Sequence, residues 1–242
     1  MEIESLPVPN VPSDDPAIVP SSRLKEAWWQ ERHNEKTGAI IKNQKIILIG
    51  DSITQLWEET RITMDNYHVN LDSGQIASWK ALNIRYNNRI TNLGFSGDRV
   101  QHVLWRLLNG EFPAGINPEY AVLLIGTNNS ASGHSPESIA AGIGMIIKII
   151  HANSPATKIM LFAILPRGDD NSDKNRINNN AVNKIIKKYD GLLGVNYFDI
   201  GQCYVKDDGI LKNELFVDKT HLTSAGYNVW KEKLLEIMSV VQ

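Results

Sequence analysis

The stretch IILIGDSITQLW, residues 46–57, runs four apolar residues into Gly50, Asp51 and Ser52 and then changes to helical spacing. A segment that is apolar at every position, instead of at alternate ones, is what a parallel strand covered on both faces requires. Its end therefore places a small hydroxyl where a buried strand gives way to a helix N-terminus. Backbone N–H groups at such a point stabilise negative charge.

Similar apolar runs recur along the chain at about 89–95 (RITNLGF), 120–126 (YAVLLIG), 158–165 (KIMLFAIL) and 195–200 (VNYFDI). Segments with helical spacing separate them: SITQLWEETRITM, QIASWKALNIRY, VQHVLWRLLNG, PESIAAGIGMIIKIIH and KNRINNNAVNKIIKKY. In the last of these Ile177, Ala181, Ile185 and Lys188 share one helical face, whose apolar members are expected against the sheet. A final helix over about 224–240 carries Trp230, Leu234, Ile237 and Met238. Strand and helix alternation of this kind predicts a three-layer α/β/α domain around a parallel five-stranded sheet.

Ahead of the first strand, residues 7–20 hold five prolines and few core-forming groups, which favours an extended arm. The expected division is an arm over 1–21 and a single domain over 22–242 that includes an N-terminal helix. Ser22 is a candidate cap for that helix, and Leu24, Trp28 and Trp29 are candidate anchors of the arm.

At 242 residues the chain can bury one sizeable core without a second domain. A formal charge of −2 gives no basic excess to draw a nucleic acid or an anionic membrane. The single cysteine, Cys203, excludes an intrachain disulfide and a cysteine-based metal cluster. No run reaches the roughly 18 apolar residues of a membrane span, and IGMIIKII is broken by Lys148, so stable membrane insertion is not expected. The opening MEIESLPVPN lacks a basic head followed by an apolar block, so no signal peptide is visible and the chain as it stands reads as cytoplasmic. A secreted or periplasmic protein stripped of its export signal would look the same.

In an open parallel sheet the useful crevice lies beyond the carboxyl ends of the strands. The first three tails are GDS at 50–52, NLGFSGD at 92–98 and GTNN at 126–129; a fourth polar cluster, DKTHLTSAG, occupies 218–226. Ser52 is the candidate nucleophile, although on its own it reads equally as a helix cap. His221 is the candidate base, with Asp218 three residues earlier placed to fix its tautomer. Taken singly, His221 is as easily a surface residue. Gly97 and the Ser52 backbone can supply N–H groups, and Asn128 its side-chain amide, to a developing oxyanion. A Gly-Asp turn and an Asx turn are the plainer explanations of Gly97 and Asn128. His33, His68, His102, His134 and His151 lack an equally suggestive carboxylate nearby and default to packing or surface roles.

The four blocks GDSIT, NLGFSGD, GTNN and DKTHLTSAGY together resemble the SGNH hydrolase superfamily, also called GDSL-like lipases and esterases. The resemblance covers about residues 45–235. It implies Ser52 as nucleophile, Ser52, Gly97 and Asn128 as the oxyanion hole, and His221 with Asp218 as base and partner. Within that superfamily GDSITQLW, NLGFSGDRVQHVLWRLLNGE, GTNN and ILPRG look most like the platelet-activating-factor acetylhydrolase catalytic-subunit branch. That branch implies a flavodoxin-like sheet of order 2-1-3-4-5, hydrolysis of short acyl esters and homodimerisation. The sequence lacks the G-x-S-x-G elbow of α/β-hydrolases, the phosphate-binding P-loop and the G-x-G-x-x-G dinucleotide loop. Asp51 and Asp199 at strand ends have no multi-ligand pattern around them, so no metal and no cofactor is expected.

The expected reaction is two-step ester hydrolysis through an acyl-enzyme on Ser52. Acetyl esters are favoured over long acyl chains, with a sugar on the alcohol side ahead of a phospholipid. The alternatives are a phospholipid acetylhydrolase or lysophospholipase-like lipase, a carbohydrate-binding protein without turnover, and an acyltransferase. Trp57, Trp105 and Tyr227 read chiefly as packing residues, with stacking on substrate as the second reading.

Overall fold

The computed structural model describes residues 6–37, 43–64, 67–71 and 73–240. The first five residues of the expected arm and the last two of the expected domain lie outside this set. Five strands form the central sheet: β1 (Ile46–Gly50), β4 (Ile90–Gly94), β5 (Tyr120–Leu124), β6 (Lys158–Phe162) and β7 (Val195–Phe198). Their order is β4-β1-β5-β6-β7, every neighbouring pair is parallel, and Gly50 stands level with both Gly94 and Leu124. Counted within the sheet this is the order 2-1-3-4-5.

The unbroken apolar runs are explained by two cores. Ile47 and Ile49 of β1 point into one, with α4 (Val100–Arg106), α6 (Pro136–Asn153) and α7 (Lys174–Ile186). Ile46 and Leu48 point into the other, with α2 (Ser52–Gln55), α3 (Gly74–Arg85) and α8 (Ser224–Val240). Alternate side chains of β1 therefore leave water on opposite faces, and all four of them before Gly50 are apolar. α5 (Thr127–Ala131) is a single turn after β5.

Three local expectations are corrected. The segment SITQLWEETRITM is helical only over α2; Arg61–Met64 forms β2, which pairs antiparallel with β3 (Tyr67–Asn70). The β-branched pair Ile62–Thr63 favours extended backbone, and the hairpin closes locally through Leu71 N–H to Thr60 O (2.8 Å). The buried face of α7 is Arg176, Asn179, Val182, Asn183 and Ile186; of the residues expected there Ile185 packs partly buried against the core, whereas Ile177 is 54% exposed. Polar residues take this face because the Asn183 amide closes both backbone groups of Ile164, accepting from its N–H (2.8 Å) and donating to its carbonyl (2.9 Å). The N-terminal helix α1 (Ala27–Lys36) starts beyond Ser22, with Glu26 at its N-cap position.

The arm packs along the body. Leu6 and Ala17 are buried in the same core as α6, and Asp15 accepts a hydrogen bond from Ser138 Oγ. The seat is cut into α6 by glycine: a Cβ at Gly142 would lie 2.7 Å from Ala17 O, and one at Gly144 2.6 Å from Val8 Cγ2. Trp29 is the anchor, fully buried, while Leu24 stays 40% exposed.

Candidate active site

β1 delivers Ser52 because the strand must stop there. Asp51 takes the N-cap position of α2, accepting from Ile53 N–H (3.0 Å), so the next residue opens the helix. α2 packs directly on the end of β4, where a Cβ at Gly94 would come within 2.3 Å of the Gln55 nitrogen. Tyr227 Oη donates to Ile53 O (2.6 Å) and Asn92 Nδ2 to Thr54 O (2.7 Å), which fixes the short helix from α8 and from β4.

His221 arrives from the last loop, 169 residues away in sequence, and its Nε2 lies 2.8 Å from Ser52 Oγ. Its Nδ1 is 2.8 Å from Asp218 Oδ2. The other carboxylate oxygen, Oδ1, accepts the backbone N–H groups of His221 (2.8 Å) and Thr220 (3.1 Å). An ionised carboxylate only accepts, so Nδ1 carries the proton and Nε2 presents a lone pair to the serine hydroxyl. Bridging of Phe216 with Leu222 and the bond from Val217 N–H to His221 O (2.8 Å) hold the loop closed. Ser52 and His221 are buried to 7% and 6% exposure, whereas the Asp218 side chain remains 29% exposed.

The neighbouring strands bring Gly97 and Asn128 to either side of β1. Asn128 Nδ2 donates to Asp98 O (2.9 Å), which ties the loop after β5 to the loop after β4 across the end of β1. Asn129 serves α4, accepting from Val100 N–H at 2.9 Å. All five residues singled out in the sequence thus gather at the carboxyl edge of the sheet, and Ser52, His221 and Asp218 form a continuous hydrogen-bonded line.

Other residues take part without having been marked by the sequence. The Asp98 carboxylate is wholly buried and accepts from Trp29 Nε1 (2.9 Å), Arg23 Nη1 (3.0 Å) and Arg106 Nε (2.8 Å). Arg106 also pairs with the buried Glu111, whose other oxygen meets His33 Nδ1 at 2.8 Å. Gln55 Oε1 accepts both the backbone N–H and the hydroxyl of Ser96 (2.7 Å each). Arg167 donates to Thr127 Oγ1 (3.1 Å), beside Asn128. The short polar motif SGD was the only signal for this network.

Electrostatics separate the buried groups. Asp51, enclosed with no hydrogen-bonded cation among the described residues, has its carboxyl pushed by burial up to about 7, against the smaller opposing effect of the Ile53 N–H bond. Burial, and then the guanidinium groups of Arg23, Arg99 and Arg106, push His102 down to about 3. It stays neutral, and its Nδ1 accepts from Arg99 N–H (3.0 Å). Trp57 and Tyr227 are fully buried and stack with Trp230, so they line the core; Trp105 packs against Trp29 and His33.

Residues 48–229 match the GDSL-like Lipase/Acylhydrolase family. The chain is 31% identical over 201 residues to Platelet-activating factor acetylhydrolase IB subunit alpha2 of Rattus norvegicus, covering 82% of this chain and 78% of that one. It superposes on a GDSL-like lipase from Bacteroides thetaiotaomicron with a TM-score of 0.64 at 18% identity, over 88% of this chain and 98% of the other. A variant of an acetyl-xylooligosaccharide esterase from Geobacillus Stearmophilus gives 0.60 at 16% identity, over 81% and 94% of the two chains. Because the matched span contains all four loops that meet at the edge of the sheet, the chain belongs to the GDSL-like lipase/acylhydrolase, or SGNH hydrolase, family and is a carboxylic ester hydrolase of small acyl esters.

Proposed function

We propose that the chain cleaves short acyl esters, acetyl esters foremost, through an acyl-enzyme on Ser52. The observation that carries this reading is the line of two 2.8 Å contacts from Ser52 Oγ through His221 to Asp218. His221 Nε2 takes the hydroxyl proton as Ser52 Oγ attacks the acyl carbon. The oxyanion that forms is met by the backbone N–H groups of Ser52 and Gly97 and by the Asn128 amide, each such donor contributing about 3 to 4 kcal/mol. His221 then gives its proton to the departing alkoxide. Water repeats the sequence on the acyl-enzyme, and Asp218 holds the imidazole throughout.

For the alcohol side, the sequence reading put a sugar ahead of a phospholipid. We now favour a phospholipid-type alcohol. The support is the acetylhydrolase relative at 31% identity and the half-buried Arg167 beside Asn128, a cation suited to a phosphate ester. The resemblance to the xylooligosaccharide esterase is one of fold and gives the sugar reading no matching chemistry. The test is a panel of short p-nitrophenyl esters, an acetylated phospholipid, acetylated sugars and acetylated xylan, with Ser52→Ala as control. We expect an acetyl adduct on Ser52, fastest turnover of the phospholipid acetyl ester, and a selective loss of that preference in Arg167→Gln. Undiminished turnover by Ser52→Ala would end the mechanism, and faster turnover of acetylated sugars would reverse the substrate assignment.

A further inference from the structure

The N–H of Gly97 and the carbonyl of Ser96 belong to one peptide unit. A trans peptide is planar, so the two groups point in opposite directions and whatever holds the carbonyl aims the N–H. Here the carbonyl is held from the segment that joins the arm to α1: Arg23 Nη1 donates to Ser96 O at 2.6 Å and to Asp98 Oδ1 at 3.0 Å. One guanidinium nitrogen therefore spans Gly97, gripping the carbonyl before it and the carboxylate after it. Gly97 itself, at φ +73°, has no side chain with which to fix the turn.

The guanidinium is pinned in turn. Its Nε and Nη2 reach the two oxygens of Glu26 at 2.8 and 2.6 Å, a bidentate fork that leaves Nη1 directed at the loop. The arrangement is largely dry on the side of the loop, with the Arg23 side chain 13% exposed and Asp98 fully enclosed. A cation on a peptide carbonyl polarises the whole unit and strengthens its N–H as a donor, most of all where water is excluded. Arg23 also helps to neutralise the Asp98 carboxylate, which would otherwise set a negative charge one residue from the place where the acyl oxygen becomes negative.

From this geometry we infer that Arg23, outside the catalytic motifs, is a positioning residue of the oxyanion hole, aiming and polarising the Gly97 N–H without touching substrate. The inference rests on the assignment of Gly97 as an oxyanion donor made above.

The experiment compares wild type with Arg23→Gln, Arg23→Ala, Arg23→Lys and Glu26→Ala, using p-nitrophenyl acetate hydrolysis, inhibition by a small alkylboronic acid that forms a tetrahedral adduct on serine, and thermal unfolding. Ser52→Ala and Asn128→Ala are the controls. Since Arg23 acts through one donor, Arg23→Gln should lower kcat about tenfold, less than outright loss of that donor, and leave KM within about twofold. The boronate should weaken in parallel with kcat/KM. Arg23→Lys should retain part of the rate because it keeps the charge but not the fork, and added methylguanidinium should restore part of the rate of Arg23→Ala. Folded Arg23→Gln with wild-type kcat and wild-type boronate affinity would overturn the inference, as would a loss that follows thermal stability and answers neither to lysine nor to methylguanidinium. Should Arg23→Gln not fold, Glu26→Ala, which removes only the outer clamp, is read instead, and unchanged kcat in it overturns the inference. Full activity in Ser52→Ala and Asn128→Ala would condemn the underlying assignment. Inactive controls beside a fully active Arg23→Gln would condemn only the role of Arg23.

Discussion

The two sides of Ser52 are built in opposite ways. On the proton-relay side, Asp218 and His221 sit three residues apart on one loop, and the acid keeps 29% of its side chain in water. On the oxyanion side, the SGD loop is clamped by Arg23, Trp29 and Arg106, which lie 75, 69 and 8 residues from Asp98 in sequence, around a carboxylate with no exposure at all. A local, wet arrangement can be repaired by water when one member is lost; a distributed, dry one cannot, because a group left unpaired there has no solvent to turn to. Aqueous tolerance and electrostatic strength are thus divided between the two halves of one site.

The largest effect tests the local side by reversing its polarity. In Asp218→Asn the amide oxygen should stay on the N–H groups of Thr220 and His221, which turns the NH₂ toward His221 Nδ1. That forces the proton onto Nε2, where it faces Ser52, and kcat for p-nitrophenyl acetate should fall on the order of ten-thousandfold. Next comes Asn128→Ala on the oxyanion side, with an expected loss in kcat of about a hundred- to a thousandfold and little change in KM. Asp218→Ala should be milder than either, about a hundredfold or less, since water can enter beside the imidazole and leave the tautomer free to adjust. If steady-state kinetics rank Asp218→Ala below Asn128→Ala in activity, the contrast between the two sides fails.

The smallest effect concerns stability. Asp98 and Asp51 are both buried, but only Asp98 has hydrogen-bonded cations around it; burial raises the Asp51 carboxyl from an ordinary 3.8 to about 7. Between those values the folded protein keeps a proton that the unfolded chain has released, so Asp51 contributes stability at low pH that is lost as pH rises through about 7. Asp51→Asn keeps the acceptor for Ile53 N–H and has no charge to bury. Denaturant midpoints measured across this window should therefore fall with pH more steeply for wild type than for the variant; parallel curves would show that Asp51 is not protonated in the folded state.

The parallel sheet was legible because strands buried on both faces read as near-continuous apolar runs, as in AVLLIG, and the two cores show why. Ser52, Gly97, Asn128, Asp218 and His221 stood out because polar blocks, each ordinary as a turn by itself, recur together after several strands, and the acid lies within one turn of the base. What stayed hidden has a common cause. Asp98 depends on partners far away in sequence, and such pairings leave no periodic trace. The β2-β3 hairpin is too short to show a period against the helical spacing just before it. On α7 Asn183, which caps the Ile164 backbone, and Asn179, which donates to Leu165 O, occupy the face that periodicity would give to apolar residues, so the apolar stripe pointed one residue astray. Polarity rules read hydrophobic burial; here the burial was of hydrogen-bonding groups.

The glycine seat on α6 carries a consequence for what counts as the smallest workable enzyme. Val8 and Ala17 fill a trench that Gly142 and Gly144 leave open, and Leu6 seals it. A shortened version beginning at the first strand would hold every motif block yet present that trench to water, inviting self-association, and would surrender the grip on the SGD loop as well. The proline-rich strap thus contributes side chains to the core, and an engineer grafting or trimming this catalyst should treat it as part of the body.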